Sequence, residues 1–210
     1  WRVDFFEAIG DTAEVLETGR ALRAAVGSAP IIFTRRSINE GGEKIAIGDA
    51  EVVRLYDAVG ASGVVDFLDF EMSNDAGHVR SVRESARSHG TRVILSYHNF
   101  GYTPGLDFLV QRFQEAERLG ADVAKVAVMP RDRADVLTLL AATSQAEAKA
   151  RIPLISMSMG PLGAVTRMIG GIFGSSLSFA VGAGSSAPGQ LPIADLRTVY
   201  EVIGRTRGGR

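Results

Sequence analysis

Lys125 is a lysine inside an otherwise apolar stretch, Val-Ala-Lys-Val-Ala-Val-Met-Pro at positions 123–130. Short apolar runs that end at a breaker are typical of buried strands, and strands in a parallel sheet covered on both faces are apolar nearly throughout. An ammonium group in such a place loses solvation, its pKa falls, and the neutral amine can form a Schiff base with a carbonyl substrate. Alternatively, only the stem is buried, and the charged head reaches water or a carboxylate. The strand alone does not separate these two interpretations.

His98 ends another apolar stretch, Arg-Val-Ile-Leu-Ser-Tyr-His. A histidine at a strand end can act as general acid and base because its ordinary pKa lies close to neutral pH. The alternative is a structural histidine with its hydrogen bonds satisfied. The histidines and carboxylates do not have the spacing of metal ligands, so the sequence predicts no metal site.

Arg36 ends a predicted strand and is followed by a glycine-bearing loop that contains Glu40. Alternation places Thr34 and Arg36 on one face of the strand and Arg35 on the other, so only one of the two arginines can face the interior. Paired arginines at a strand end can also be surface charges, and that alternative stays open.

Arg167 and the loop Gly182–Gln190 are further candidates for ligand binding. An arginine near a loop can hold a carboxylate with two hydrogen bonds, although a solvated helix arginine is the commoner outcome. Glycine-rich loops in barrels often bind phosphate, but glycine and serine also form plain flexible lids. Gln190 adds an amide that could close over a polar ligand.

Composition limits the classes of function. The chain has 210 residues, of which 46% are hydrophobic and 22% charged, with a net charge of -1 and no cysteine. These values predict a soluble domain with no nucleic-acid partner and no membrane partner, and they exclude a thiolate nucleophile. The absence of cysteine fits a reducing cytoplasm. The uncharged segment 168–194 is interrupted by glycines and prolines, so it does not read as a membrane span.

Strands and helices alternate along the chain and would position these residues. Apolar runs predict strands at Trp1–Phe6, Ile31–Arg36, Val64–Glu71, Arg92–His98, Val123–Val128, Pro153–Met159 and Leu177–Val181. Helical spacing and end signals predict helices at Thr12–Val26, Asp49–Val59, Gly77–Ser88, Pro104–Gly120, Arg131–Ala148, Gly163–Ile169 and Ile193–Ile203.

Seven such units indicate an α/β fold, either an open doubly wound sheet or a (β/α)8 TIM barrel. No Gly-x-Gly-x-x-Gly motif follows the first strand, and polar residues gather at strand ends, which favours the barrel. The sequence therefore predicts one catalytic barrel domain over residues 1–204 and a mobile basic tail over residues 205–210. Because seven units are one too few, we expect a first β/α unit before Trp1.

Six segments of the chain carry recognisable motifs: Phe33–Glu43, Ser96–Phe100, Ala124–Pro130, Ala134–Leu140, Ile155–Met159 and Ser186–Gln190. Together and in this order, they resemble the motifs of type I 3-dehydroquinate dehydratase. The resemblance covers essentially the whole chain and implies a (β/α)8 barrel, usually a homodimer, that dehydrates 3-dehydroquinate to 3-dehydroshikimate on the shikimate pathway without a cofactor.

The resemblance also implies a role for each candidate residue. It assigns the Schiff base to Lys125, general acid-base catalysis to His98 and pairing with that histidine to Glu40. The implied substrate-binding residues are Arg2 and Arg36 in the polar pocket, Arg167 on the substrate carboxylate, and Ser186 and Gln190 in a lid. Two other functions remain open, namely a class I aldolase acting on a sugar phosphate and a noncatalytic barrel.

Overall fold

Parallel strands that alternate with helices form the framework of the protein, as the sequence predicts. The computed structural model describes residues 1–182, 184 and 187–207. The strands are β1 (Ile32–Thr34), β2 (Phe67–Glu71), β3 (Arg92–Asn99), β4 (Val123–Val128) and β5 (Leu154–Ser158). The helices are α1 (Thr12–Val26), α2 (Asp49–Ala61), α3 (Ala76–His89), α4 (Leu106–Arg118), α5 (Arg133–Glu147), α6 (Gly160–Ile169) and α7 (Ile193–Arg207).

The strands form one sheet in chain order, β1 to β5. β2 pairs in parallel with both β1 and β3, and the register places Asp69 beside Thr34 and Glu71 beside Ser96. Because the carboxyl ends of parallel strands meet at one edge of a sheet, this register gathers polar side chains at that edge.

The chain divides into two compact units. The first unit consists of residues 1–97 and 116–124, and the second consists of residues 98–115 and 125–210. The predicted boundaries, one domain over 1–204 and a tail over 205–210, remain a prediction.

A chain of aromatic rings forms the core of the first unit. Trp1, Phe33, Tyr56 and Phe70 make successive edge-to-face contacts, with ring centroids 5.5, 5.2 and 5.0 Å apart. The Tyr56 hydroxyl donates a hydrogen bond to the Asp69 carbonyl at 2.7 Å and accepts one from the Arg35 N–H at 2.8 Å. Tyr56 therefore ties the end of β1 to β2.

In the second unit, hydrogen bonds from Thr166 fix the start of α6 against the end of β5. The Thr166 hydroxyl accepts from the Ser158 N–H at 2.9 Å and donates to the Gly163 carbonyl at 2.7 Å. The Tyr200 hydroxyl on α7 donates to the carbonyl of Arg167 at 2.7 Å. These contacts determine where Arg167 lies.

The strand predicted at Trp1–Phe6 is absent. Arg2 has an isolated parallel pairing with Thr34, and Val3–Phe5 forms a 3-10 turn. The apolar composition suggested a strand, but the buried Asp4 carboxylate accepts hydrogen bonds from Arg2 and from the Arg36 N–H. These bonds turn the chain after one paired residue.

The strand predicted at Leu177–Val181 is also absent. Two backbone carbonyls that would pair with a neighbouring strand accept hydrogen bonds from side chains instead. Ser175 Oγ donates to Leu177 at 3.2 Å, and Arg167 donates to Phe179 at 3.2 Å. Near this segment, the described residues show isolated pairings between Leu154 and Ser175 and between Val181 and Pro192.

The other elements lie close to their predicted bounds. α1 and β4 have the predicted ends, whereas α7 continues four residues past Ile203 to Arg207. Residues 208–210 lie outside the described part of the chain. Among the described residues, every helix is too short or too polar to span a lipid bilayer.

Candidate functional site

Arg36 is the centre of a buried charge cluster in the first unit. It follows β1, is only 3% exposed, and donates from Nη2 to Asp69 at 2.8 Å and from Nη1 to Glu71 at 3.1 Å. Nη1 also donates to the Ser96 hydroxyl at 2.9 Å. Burial alone would lower the pKa of Arg36, but the carboxylates of Asp69 and Glu71 outweigh it and raise that pKa. Arg36 is therefore an interior arginine, and the surface alternative is wrong.

Glu40 joins the same cluster from the turn after β1. Its Oε2 lies 3.8 Å from Arg36 Nη1, and its Oε1 accepts a hydrogen bond from the Ser73 hydroxyl at 2.6 Å. Burial, and then the nearby Glu71 carboxylate, raise the pKa of Glu40 to about 7. Glu40 can therefore change its charge close to neutral pH.

Gly42 shapes the turn that carries Glu40. The Gly42 N–H donates to the Ser37 carbonyl at 2.7 Å, and a Cβ atom on Gly42 would lie 1.9 Å from the Arg36 carbonyl oxygen. Only glycine fits this close approach, so the turn folds tightly over Arg36 and brings Glu40 back toward it.

Asp4 links Arg2 to Arg36. Arg2 Nε donates to Asp4 at 2.7 Å, and the Arg36 N–H donates to the same carboxylate oxygen at 3.2 Å. Burial opposes ionisation of Asp4, but its hydrogen bonds from Arg2 and Arg36 keep its pKa below the usual range. The structure thus brings together Arg2, Arg36 and Glu40, the three candidate residues of the first unit.

Lys125 lies in the second unit, on β4, and is 6% exposed. Its neighbours on the strand, Ala124 and Val126, are fully buried. The ammonium nitrogen lies 4.6 Å from the centroid of the Phe179 ring, so an aromatic face covers part of it. The predicted burial of Lys125 in an apolar strand is confirmed.

Arg167 is 1% exposed, although helix arginines are commonly solvated. Its guanidinium donates to the carbonyls of Phe179 and Pro188, both at 3.2 Å. Its Nε is buried and has no hydrogen-bond partner in the described part of the chain. Burial lowers the pKa of Arg167. A buried guanidinium with a spare donor is suited to an anionic ligand.

Phe179 connects the two buried cations of the second unit. Its ring faces Lys125, and its carbonyl accepts from Arg167. One residue therefore positions both a possible nucleophile and a possible anion-binding group.

The remaining candidates lie at the end of β3 and in the loop before α7. His98 is half-buried and is the second-last residue of β3. The ends of the loop are joined by hydrogen bonds from the Val181 N–H to Leu191 at 2.8 Å and from the Ile193 N–H to Val181 at 3.0 Å. Gln190 is half-buried in this loop, and Ser186 lies outside the described residues.

Pro188 and Gly189 anchor that loop against the start of α6. The Gly160 N–H donates to the Pro188 carbonyl at 3.1 Å. Gly189 has a φ of 75°, and a Cβ atom there would lie 2.2 Å from the Gly160 carbonyl oxygen, so glycine is required.

The sequence analysis did not select Asp4, Asp69, Glu71, Ser73 or Phe179. A signal was available for two of them, because Asp69 and Glu71 alternate in the strand Phe-Leu-Asp-Phe-Glu and so share a face. An ionisable side chain inside an apolar strand is costly to bury, and the same signal drew attention to Lys125.

Comparison with known proteins agrees with the sequence resemblance. Residues 1–207 match the family model for type I 3-dehydroquinase. A protein of Albidiferax ferrireducens named 3-dehydroquinate dehydratase is 55% identical over 208 residues, which are 99% of this chain and 79% of that protein.

Solved structures extend the comparison to the fold. The 3-dehydroquinate dehydratase of Geobacillus kaustophilus HTA426 matches with a TM-score of 0.96 and 46% identity, over 100% of this chain and 80% of that one. The type I enzyme of Clostridium difficile, solved with covalently modified comenic acid, matches with a TM-score of 0.94 and 38% identity, over 98% and 81%. These matches confirm the predicted α/β fold class, the TIM barrel. Because sequence and backbone agree over nearly the whole chain, it belongs to the type I 3-dehydroquinase family.

Proposed function

We propose that the chain is a lyase that dehydrates 3-dehydroquinate to 3-dehydroshikimate through a Schiff base on Lys125. The observation that carries this proposal is the burial of Lys125 in an apolar strand of a type I 3-dehydroquinase family member. The relatives named 3-dehydroquinate dehydratase support the substrate. The covalently modified ligand in the Clostridium difficile structure supports covalent chemistry.

The reaction begins at the Lys125 amine. Nζ adds to the ring ketone, and the ketone oxygen leaves as water, which gives an iminium ion. The iminium nitrogen withdraws electrons more strongly than the ketone oxygen does. The proton on the neighbouring carbon therefore becomes easier to remove.

His98 acts as the base and then as the acid. Its imidazole takes the proton from the carbon beside the iminium, which leaves an enamine. The enamine expels the hydroxyl group one carbon further on, and that oxygen takes the proton from the imidazolium and leaves as water. Hydrolysis of the remaining iminium returns Lys125 and releases 3-dehydroshikimate. Acid-base help of this kind contributes about 10²- to 10⁴-fold to the rate.

Arg167 holds the substrate carboxylate in this proposal. Its Nε is a buried donor without a partner in the described residues, and its Nη groups are fixed by backbone carbonyls. A fixed guanidinium positions the carboxylate, and through it the carbon-hydrogen bond that His98 must reach.

The other candidates keep the roles that the family implies. Glu40 orients the imidazole of His98 and stabilises its charged form, which suits a carboxyl group that ionises near pH 7. Arg2 and Arg36 serve the polar pocket, and Ser186 and Gln190 serve the lid. A homodimer, cytoplasmic location, the shikimate pathway and independence from cofactors are further parts of the proposal.

Borohydride reduction in the presence of 3-dehydroquinate tests the central step. The chain has three lysines, Lys44, Lys125 and Lys149. We expect a stable adduct that peptide mass mapping places on Lys125, together with loss of activity. The adduct should disappear in Lys125→Ala and persist in Lys149→Ala, because Lys149 is exposed.

An adduct on Lys44 or Lys149, or turnover that survives in Lys125→Ala, would contradict the proposal. Product formation is followed by the absorbance of the conjugated enone. A sugar phosphate offered under the same conditions is expected to give neither an adduct nor turnover, which separates this reaction from that of a class I aldolase.

A further inference from the structure

Ser73 contacts Glu40 but has no role in the chemistry described above. It lies two residues beyond the end of β2 and is exposed to solvent, yet its hydroxyl donates to Glu40 Oε1 at 2.6 Å. The two residues are 33 positions apart in the sequence. The contact therefore depends on the folding of the first unit.

The two strand carboxylates of the cluster each accept hydrogen bonds from the Arg36 guanidinium and from a second donor. Asp69 accepts from Arg36 at 2.8 Å and from the Ser96 hydroxyl at 2.7 Å. Glu71 accepts from Arg36 at 3.1 Å and from the Ser37 N–H at 2.7 Å. Each has a close contact with the guanidinium and a second donor.

Glu40 differs because its ionic contact with Arg36 is long, at 3.8 Å. It also has a short contact with Ser73, a neutral donor on another segment. A short hydrogen bond restricts the carboxyl group to one rotamer, and a donor favours the ionised form of its acceptor.

We propose that Ser73 is a positioning residue for the reaction, which fixes the Glu40 carboxyl group and favours its ionised form. The proposal rests on the role of Glu40 in the proposed function. Ser73 would act through Glu40 and would not touch the substrate.

Three charged groups of the cluster act on Glu40 together with Ser73. Burial raises the pKa of Glu40 most, and Glu71 and Asp69 act in the same direction. The Ser73 hydroxyl and the Arg36 guanidinium lower this pKa. Without the hydroxyl, the pKa of Glu40 should rise further. A net hydrogen-bond contribution corresponds to about a three- to tenfold change in the ionisation equilibrium, or roughly half a pH unit to one.

The test compares pH profiles of kcat between pH 5 and 9. In Ser73→Ala, the acidic limb should move upward by about half a unit to one unit, so that activity falls several-fold at pH 6 and much less at pH 9. Ser73→Thr keeps the hydroxyl and should restore the profile. Ser88→Ala is the matched control, because Ser88 is also exposed and its hydroxyl donates to the carbonyl of Ser85.

A second measurement does not depend on turnover. In protein labelled with 13C at the glutamate carboxyl carbons, the signal that disappears in Glu40→Gln belongs to Glu40. Its titration midpoint should rise in Ser73→Ala and return in Ser73→Thr. An unchanged midpoint in Ser73→Ala would overturn the inference about Ser73.

Glu40→Gln separates failure of this inference from failure of the proposed role of Glu40. If the acidic limb of kcat persists in Glu40→Gln, the limb belongs to another group and the proposed role of Glu40 is wrong. If the limb disappears in Glu40→Gln but does not move in Ser73→Ala, only the inference about Ser73 is wrong.

Discussion

Replacing Arg36 with methionine removes the guanidinium that three buried carboxylates share. Asp69, Glu71 and Glu40 are 0%, 2% and 4% exposed and lie 2.8, 3.1 and 3.8 Å from the guanidinium nitrogens. Methionine can replace much of the apolar stem, so the main change is electrostatic. The variant therefore measures the cost of buried carboxylates that have lost their cation.

Removal of one partner from a buried ion pair typically costs about 3 to 5 kcal/mol. Two of the contacts to Arg36 are short, so we expect Arg36→Met to lower the free energy of unfolding by roughly that amount at pH 8. The cost should shrink as the pH falls. Carboxylates buried without a cation have raised pKa values and take up protons in the folded protein before they do so in the unfolded chain.

Arg35→Met is the matched control because the same side chain is removed one position away. Arg35 Nη2 lies 4.0 Å from Asp49 Oδ1, and the Asp49 side chain is 72% exposed. A long ion pair with an exposed carboxylate contributes about 0 to 1 kcal/mol to the free energy of unfolding. Arg35→Met should therefore change stability little at any pH.

Urea unfolding at pH 8 and pH 5, followed by tryptophan fluorescence, measures both effects. The chain has a single tryptophan, Trp1, which packs against Phe33 in the first unit and so reports on the unit that contains Arg36. Combining Arg36→Met with Glu71→Gln should recover part of the lost stability, because one uncompensated charge is removed. The reasoning would be refuted if Arg36→Met were as stable as Arg35→Met at pH 8, or if its cost did not fall on acidification.

Two further predictions concern Glu40 and Arg167. The pKa of Glu40 is about 7 in the folded protein, above its ordinary value of 4.5, so the wild-type protein loses stability as the pH rises between these values. Glu40→Gln should therefore be more stable than wild type by about 3 kcal/mol at pH 8, and urea unfolding should show this gain vanish near pH 4.5. Arg167→Lys should raise KM for 3-dehydroquinate about 10- to 100-fold, because lysine lacks the Nε donor and the planar fork. An unchanged KM in steady-state kinetics would remove Arg167 from carboxylate binding.

Features that depend on neighbouring residues in the sequence were predictable. β4 and α1 have their predicted ends, and Lys125 is buried as its apolar neighbours indicated. Periodicity and end signals act over a few residues, so one sequence is enough to recognise them. Alternation along the strand also indicated that only one of Arg35 and Arg36 could face the interior, but it did not select Arg36.

The partners of Arg36 could not be predicted in the same way. Its hydrogen bonds join residues 33, 35 and 60 positions apart, to Asp69, Glu71 and Ser96. Nothing in the local pattern around Arg36 specifies these residues, because the pairing of β1, β2 and β3 brings them together. The high pKa of Glu40 has the same origin, since it results from burial and from Glu71.

The two incorrect strands show how side chains can change backbone pairing. Residues 1–6 and 177–181 both have strand-like composition. At the first segment, the Asp4 carboxylate binds the Arg36 N–H, and at the second, Arg167 binds the Phe179 carbonyl. A composition rule cannot anticipate such contacts, because the arginine in each lies at least 12 positions away.

Arg36 and Glu40 touch the same cluster, but their substitutions should change stability in opposite directions. The carboxylates raise the pKa of Arg36, so folding favours its charged form and its removal is costly. Burial raises the pKa of Glu40, so folding disfavours its charged form and its neutralisation should stabilise the protein. The ionised form of Glu40 therefore lowers the stability of the folded protein, although Glu40 lies beside the ion pairs of Arg36. Such a group is better explained by a role in the reaction than by a role in folding. If Arg36→Met destabilises the protein and Glu40→Gln stabilises it while slowing turnover, folding depends on the charge of Arg36, whereas the charge of Glu40 serves the reaction.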